Sequence, residues 1–311
     1  MQTIIGSTGP IGTMLASNLT AFTQDIRLVS RNPVKVNPTD SLVNADLLNL
    51  SQIMNAVEGS AIVYFTAGLP LDTKIWLDQW PIIMSNIIEA CVFHNAKLVF
   101  LDNTYMYPQT SEILTEETPF APVGKKGDIR SSITHQLLNA MRTRHLEALI
   151  CRAPEFYGPG KTKSYTNSLV FGPLLQKQPA KVPLNSQTKR SLIYTPDASR
   201  AIALLGNTSR TFGETWHLPC FENILTYDEL IHLAAHIFDT KPEYKIISKW
   251  QFKVGALFSK NLKEMQELLP RYEQDNLFSS EKFKKAFPTF KTTSYEKGLS
   301  SMYIDYQNSS L

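Results

Sequence analysis

Thr3-Ile4-Ile5-Gly6-Ser7-Thr8-Gly9-Pro10-Ile11-Gly12 is the stretch that decides the fold. A short apolar run ends at a glycine-spaced turn. Ile11, Leu15 and Leu19 then recur at helical spacing. Glycine reaches backbone conformations closed to other residues, and without a side chain it lets a pyrophosphate come close. The helix that follows offers unsatisfied N–H groups and a positive dipole end to such an anion. The spacing is Gly-x-x-Gly-x-x-Gly, not Gly-x-Gly-x-x-Gly. A glycine turn can also do no more than join strand to helix, but this one precedes a repeated strand–helix alternation, and that context favours a dinucleotide site. Gly6, Thr8, Gly9, Pro10, Ile11 and Gly12 are the residues expected to hold the cofactor.

Outward from this turn, residues 26–29, 61–65, 97–101 and 148–151 read as strands. Residues 11–22, 50–57, 80–95 and 131–144 read as helices. Strands alternating with helices predict an α/β fold with a doubly wound parallel sheet, the Rossmann arrangement. After Arg152 the alternation breaks at Pro154, Gly158, Pro159 and Gly160. Residues 191–194 and 197–205 then restore a strand and a helix. Thr226-Tyr227-Asp228-Glu229 fits a capping box ahead of a further helix. The expected organisation is a dinucleotide-binding domain over 1–155, completed by about 190–216. A smaller α/β substrate lobe would comprise 156–189 and 217–311.

The chain has 311 residues, 43% of them hydrophobic, with 31 basic and 28 acidic side chains and a net charge of +3. That balance leaves no basic footprint for nucleic acid. No apolar stretch approaches the roughly 20 residues needed to span a bilayer, and no leader-like segment precedes Thr3. Cys91, Cys151 and Cys220 are too far apart for a metal or disulfide framework and read as reduced thiols. His232 and His236 are four apart, but Leu233 follows the first where a zinc protease has glutamate, so no metal is assigned. A cytoplasmic protein with a small-molecule substrate is expected. Neither nucleic acid nor membrane is an expected partner, and a homodimer is compatible.

The second strand ends at Ser30-Arg31-Asn32-Pro33. NAD sites usually place an acid here for the ribose hydroxyls. Arg31 would instead pair with a 2′-phosphate and stack beneath adenine, which predicts NADP over NAD.

With these residues in view, the chain resembles the extended short-chain dehydrogenase/reductase superfamily, and within it the NAD-dependent epimerase/dehydratase family. Ala45-Asp46-Leu47 is similar to the segment that reaches adenine. Phe65-Thr66-Ala67-Gly68 is similar to the strand end beneath the cofactor. Arg152-Ala153-Pro154-Glu155-Phe156-Tyr157-Gly158-Pro159-Gly160 is similar to the turn near the nicotinamide. Leu192–Ala198 and Thr293–Leu299 look like the family's later strand-to-helix step and last helix. The resemblance adds Asp46, Leu47, Thr66, Ala67, Gly68 and Pro154 to the expected cofactor contacts.

Chemistry is where the resemblance departs. Active relatives carry Ser or Thr, then Tyr-x-x-x-Lys, and the tyrosine exchanges a proton while hydride moves. Counting along Asp102–Tyr107 places Asn103 at the Ser/Thr position. Counting along Pro122–Arg130 places Lys126 at the tyrosine position and Arg130 at the lysine position. Repulsion between two cations favours a neutral Lys126 amine, which is a base. A charged Lys126 would bind a substrate anion instead, and a solvated basic turn with no chemistry is the third reading. Tyr105, with Thr104 and Tyr107, is a candidate substitute acid. Trp76, Trp80, Phe156 and Tyr157 are either cleft or core. Two functions follow: an oxidoreductase or epimerase acting on a small carbonyl, alcohol or sugar-nucleotide substrate with an altered proton-transfer site, or an NADP(H)-sensing binding protein without turnover.

Overall fold

The computed structural model describes residues 1–160 and 162–309. β1 (Gln2–Ile5) leads to α1 (Pro10–Leu19), β2 (Ile26–Ser30), β3 (Ser41–Asn44), α2 (Leu50–Val57), β4 (Ile62–Phe65) and α3 (Thr73–Phe93). β5 (Lys97–Asp102), α4 (Lys125–Thr143), β6 (Ala148–Arg152), β7 (Glu155–Tyr157), α5 (Gly172–Leu175) and β8 (Ala180–Pro183) come next. β9 (Leu192–Tyr194), α6 (Thr195–Gly206), β10 (Thr215–His217), α7 (Tyr227–Ile237) and β11 (Tyr244–Ile247) follow. Four helices complete the order: α8 (Lys249–Gly255), α9 (Lys260–Met265), α10 (Glu281–Ala286) and α11 (Tyr295–Ser309).

Two compact units result. The first comprises residues 1–106, 120–153 and 198–218, and the second 107–119, 154–197 and 219–311. Residues 107–119 and 190–197 thus fall in the second unit, outside the bounds expected for the lobe.

The first unit holds a seven-stranded parallel sheet in the order β3-β2-β1-β4-β5-β6-β10. The chain steps outward from β1 to β3, then returns to lay β4 on the other side of β1. Strand order reverses there, and the crevice at such a switch point is where ligands bind in open α/β sheets. Ile5 pairs with Phe65 across it, and the Thr66 N–H donates to the Ile5 carbonyl at 2.9 Å. All of β1 is buried, as a strand covered by helices on both faces requires. Beneath it lie Ile53, Trp80, Ile87, Leu98, Ile133 and Leu137. Trp76 and Trp80 belong to this core. His217 is fully buried in β10.

The second unit pairs β8 with β11 and β7 with β9, both in parallel. Its core gathers Tyr157, Phe171, Leu230, Phe252 and Leu299. The capping box forms as the sequence predicts: Thr226 caps α7 while Glu229 reaches back to the Thr226 N–H. Burial pushes the Cys91, Cys151 and Cys220 thiols well above their usual range, and all three are free.

Three elements differ from expectation for identifiable reasons. α3 begins at Thr73 rather than residue 80, because Asp72 caps it by accepting from the Lys74 and Ile75 N–H groups. Pro81 lies inside it and masks its first two turns in the sequence. α4 begins at Lys125 rather than residue 131, since its polar first turn shows no apolar stripe. β3 is an edge strand, largely exposed, and carries no apolar run to announce it.

The C-terminal ends of β5 and β6 carry a buried ionic cluster. Asp102 and Arg152 are register partners on the two strands. Asp102 Oδ1 accepts from Arg130 Nε at 2.9 Å and also from Arg130 Nη2. Its Oδ2 accepts from Thr134 Oγ1 at 3.0 Å and from Arg152 Nη2 at 3.4 Å. The Arg130 guanidinium lies over the rings of Trp80 and Phe100, at 4.7 and 5.3 Å from their centroids. Arg152 lies over Phe120 at 5.1 Å. Removing one partner from a buried ion pair leaves an uncompensated charge and costs about 3–5 kcal/mol. Asp102→Ala is expected to destabilise the chain by about that amount, read as a lowered midpoint in urea unfolding. A loss of less than about 1 kcal/mol, the range of surface pairs, would contradict the cluster's structural weight.

Candidate dinucleotide and catalytic site

Gly6 has φ +91°, a left-handed conformation that glycine tolerates, and a Cβ there would sit 2.5 Å from the Ala67 backbone. Only a glycine lets the β1–α1 turn lie against the end of β4. Gly12 is equally constrained, since a Cβ would meet the Gly6 carbonyl oxygen at 2.5 Å. Gly9 differs. Its φ is ordinary, and the one atom near an added Cβ is the Gly6 oxygen at 3.4 Å. Its side is therefore open, whereas Gly6 and Gly12 face protein.

Gly9 is also the N-cap of α1, and no side chain caps that helix. Pro10 occupies the first helical position, where its missing N–H costs nothing. The N–H groups of Ile11 and Gly12 thus point out of an uncapped helix end with the positive dipole behind them. Thr13 Oγ1 donates to the Ser7 carbonyl at 3.0 Å, and Ser7 Oγ donates to the Val29 carbonyl at 3.3 Å. Ser199 Oγ on α6 donates to the Ile11 carbonyl at 3.4 Å. Thr8 is exposed at the tip. Such a rigid loop with open donors fits a pyrophosphate, and the residues present suit a dinucleotide.

Around the loop, Thr66 Oγ1 donates to the Ile5 carbonyl at 3.2 Å, so Thr66 and Ala67 continue β4 beside the turn. A Cβ on Gly68 would meet nothing within 4 Å, which leaves open space above that strand end. Asp46 is exposed, and its Oδ1 accepts from the Leu48 N–H at 3.0 Å. The Leu47 carbonyl accepts from Asn86 Nδ2 at 2.9 Å, which ties this segment to α3. Ser30 Oγ, at the end of β2, is buried without a hydrogen-bond partner. Arg31 beside it is exposed, and Asn44 Nδ2 donates to its carbonyl. Pro154 is buried in the second unit.

The four residues singled out for chemistry have distinct surroundings. Lys126 is 1% exposed, and its Nζ donates to Thr73 Oγ1 at 2.8 Å. It lies in the first turn of α4, where Gly127 permits close packing: a Cβ there would be 2.8 Å from the Tyr105 carbonyl. The solvated-turn reading of Lys126 therefore does not hold. Arg130 is held by Asp102, whose other carboxylate oxygen accepts from Arg152. Asn103 Oδ1 accepts from the Tyr105 N–H at 2.9 Å in a turn-forming bond, leaving its amide NH2 as the group available to a ligand. The Tyr105 ring stacks on Trp76 with centroids 6.1 Å apart. Asp102, Arg152 and Thr73 were missed from the sequence. Asp102 and Arg152 each end a strand with a charge, and that shared position was the signal available.

A seven-stranded parallel sheet with an uncapped glycine turn at its switch point defines a dinucleotide-binding α/β protein. The chain belongs to the NAD-dependent epimerase/dehydratase family, whose model matches residues 3–217. Among solved structures it is similar to UDP-glucuronic acid 4-epimerase from Bacillus cereus in complex with UDP-glucuronic acid and NAD. That likeness has TM-score 0.82 and 16% identity, and covers 99% of each chain. It is also similar to UDP-N-acetylglucosamine 4-epimerase from Bacillus cereus (TM-score 0.77, 16% identity, 97% of this chain and 95% of that one). MoeE5 in complex with UDP-glucose and NAD gives TM-score 0.79 at 18% identity, over 100% of this chain and 99% of that one. No curated protein sequence matches the chain.

These findings correct the cofactor expectation. The family is NAD-dependent, and the UDP-glucuronic acid 4-epimerase and MoeE5 were solved with NAD, which argues against a preference for NADP. The inference from Arg31 fails because an exposed arginine past a strand end need not face a 2′-phosphate. Missing acid at the end of β2 does not by itself select the phosphorylated cofactor.

Gly9→Asp is expected to abolish dinucleotide binding without unfolding the chain, since a carboxylate would fill the open side of the turn and repel the pyrophosphate. NADH fluorescence titration of the folded variant checks this. Parent-like affinity would remove the turn from the site.

Proposed function

We propose that the chain binds NAD along the β1–α1 turn and acts on a sugar-nucleotide as an epimerase/dehydratase-type oxidoreductase. The observation that carries this reading is the uncapped N-terminus of α1 behind the open side of Gly9. Bound there, NAD supplies a hydride acceptor and donor. In this reading the Ile11 and Gly12 N–H groups bind the pyrophosphate, Asp46 and Leu47 border the adenosine, and Thr66, Ala67 and Gly68 lie under the cofactor. The substrate class is supported by the neighbours solved with UDP-glucuronic acid and UDP-glucose. Three buried free thiols support a reducing, cytoplasmic setting.

Lys126 takes the proton-handling role in place of tyrosine. Its amine, supported by Thr73 Oγ1, holds or moves a proton at a substrate hydroxyl oxygen. Asn103 Nδ2 donates to that oxygen, since its Oδ1 is committed to the Tyr105 N–H. Arg130 contributes no direct contact, because Asp102 holds its guanidinium.

A second reading draws on that same bond. With Arg130 drawn onto Asp102, the cation that normally sits one turn beyond the proton-transfer group serves the strand ends instead. An NAD(H)-binding sensor that does not turn substrate over needs neither group. Lys126→Met separates the two. In an enzyme it lowers turnover of a UDP-sugar by about a hundredfold while NADH affinity stays within a few fold. NADH binding with no conversion of any UDP-sugar in a panel, followed by product analysis in parent and variant alike, selects the sensor.

A further inference from the structure

The segment from Tyr244 to Lys263 in the second unit carries Lys245, Lys249, Lys253, Lys260 and Lys263, and no Asp or Glu. The whole chain has a net charge of only +3, so this excess is local. All five lysines are exposed. Large apolar side chains are exposed among them: Trp250 at 70%, Leu257 at 79% and Phe258 at 87%, with Ile246 and Val254 also open.

The hairpin is built to present these groups. Phe252 is buried with Met265 and Leu269, which anchors α8 to the core by its opposite side. A Cβ on Gly255 would meet Leu262 Cδ1 at 2.7 Å, so α8 and α9 close tightly on each other there. Ser248 and Gln251 form a capping box on α8, and Ser259 caps α9. Residues 256–259 are thereby held as a turn, with Leu257 and Phe258 at its tip. Neighbouring acids touch the margin: Glu273 pairs with Lys249 at 2.7 Å, and Glu264 and Glu267 follow Lys263.

We propose that the α8–α9 hairpin docks on an anionic lipid surface, with Leu257, Phe258 and Trp250 entering the interface and the lysines facing lipid headgroups. Charge complementarity decides for this occupant. Protein interfaces are depleted in lysine, whereas lysines around exposed Trp, Leu and Phe are the composition of interfacial membrane segments. A tryptophan flanked by lysines suits the headgroup level, and lysine stems reach it while their chains cover apolar surface. Apolar insertion and a basic patch together supply the two signals that reversible attachment needs. Among the described residues no helix is long and apolar enough to cross a membrane. Lying on one requires no such helix.

The test is co-sedimentation of the full chain with phosphatidylcholine vesicles, with and without about one-third phosphatidylserine, at low and high salt. Trp76, Trp80 and Trp216 are buried, so the tryptophan emission shift reports Trp250. The expected result is binding to anionic vesicles alone, with a blue shift and weakening by salt. Leu257→Glu with Phe258→Glu should cut partitioning by about tenfold or more while circular dichroism and the unfolding midpoint stay parental. Lys253→Glu with Lys263→Glu, on the exposed rim, should also weaken binding. Failure to bind anionic vesicles, equal binding to neutral ones, or parental binding by the Leu257/Phe258 variant overturns the proposal. Dimerisation of the parent in solution that this variant abolishes, without vesicle binding, overturns it in favour of a second copy of the chain.

Discussion

A fully buried carboxylate at the end of β5 sets the terms for the region around it. Asp102 must be neutralised where it stands, and it draws Arg130 from α4 and Arg152 from β6 onto its two oxygens. Those bonds tie together two adjacent strand ends and the first turns of a helix, the parts that carry the candidate chemistry. The aromatic faces of Trp80, Phe100 and Phe120 cover the guanidiniums and exclude water. Such a cluster is a poor source of net stability compared with an apolar core, but it tolerates no missing member. Its role is positional.

In the proposed reading, this arrangement lets the proton-transfer position hold Lys126 without disturbing the scaffold. Arg130 belongs to Asp102 and serves the strand ends rather than the position four residues before it. Lys126 is then defined by its contact with Thr73 at the start of α3. The glycine turn is untouched by any of this. It depends on Gly6 and Gly12 meeting backbone, on Gly9 remaining open, and on the order of β1 and β4. The proposed cofactor contacts and the proposed proton-handling group therefore rest on separate parts of the chain and can diverge independently.

Legibility in the sequence followed the same division. The sheet was readable because buried parallel strands are continuous apolar runs, and the turn because close backbone approach demands glycine at fixed spacing. β3 escaped because an exposed edge needs no apolar run. The first turns of α3 and α4 escaped because a proline and a polar cap conceal helices that tertiary contacts complete. Lys126 was singled out by counting, yet its burial and its bond to Thr73 were invisible, since they depend on a partner 53 residues away. Asp102 and Arg152 looked like ordinary charges at strand ends. Only register makes them neighbours. Arg31 misled because residue type at a strand end says nothing of the direction in which the side chain points.

The placement of the thiols has its own consequence. Cys91 lies on α3, Cys151 on β6 and Cys220 in the second unit, each fully buried and each held protonated by its surroundings. Alkylating and oxidising reagents attack the thiolate, so the native protein withholds all three from them. Each sulfur becomes chemically visible only when its own part of the molecule opens. The chain thus carries three internal clocks, one on a helix, one on a central strand and one in the second unit, and they run only during excursions from the folded state.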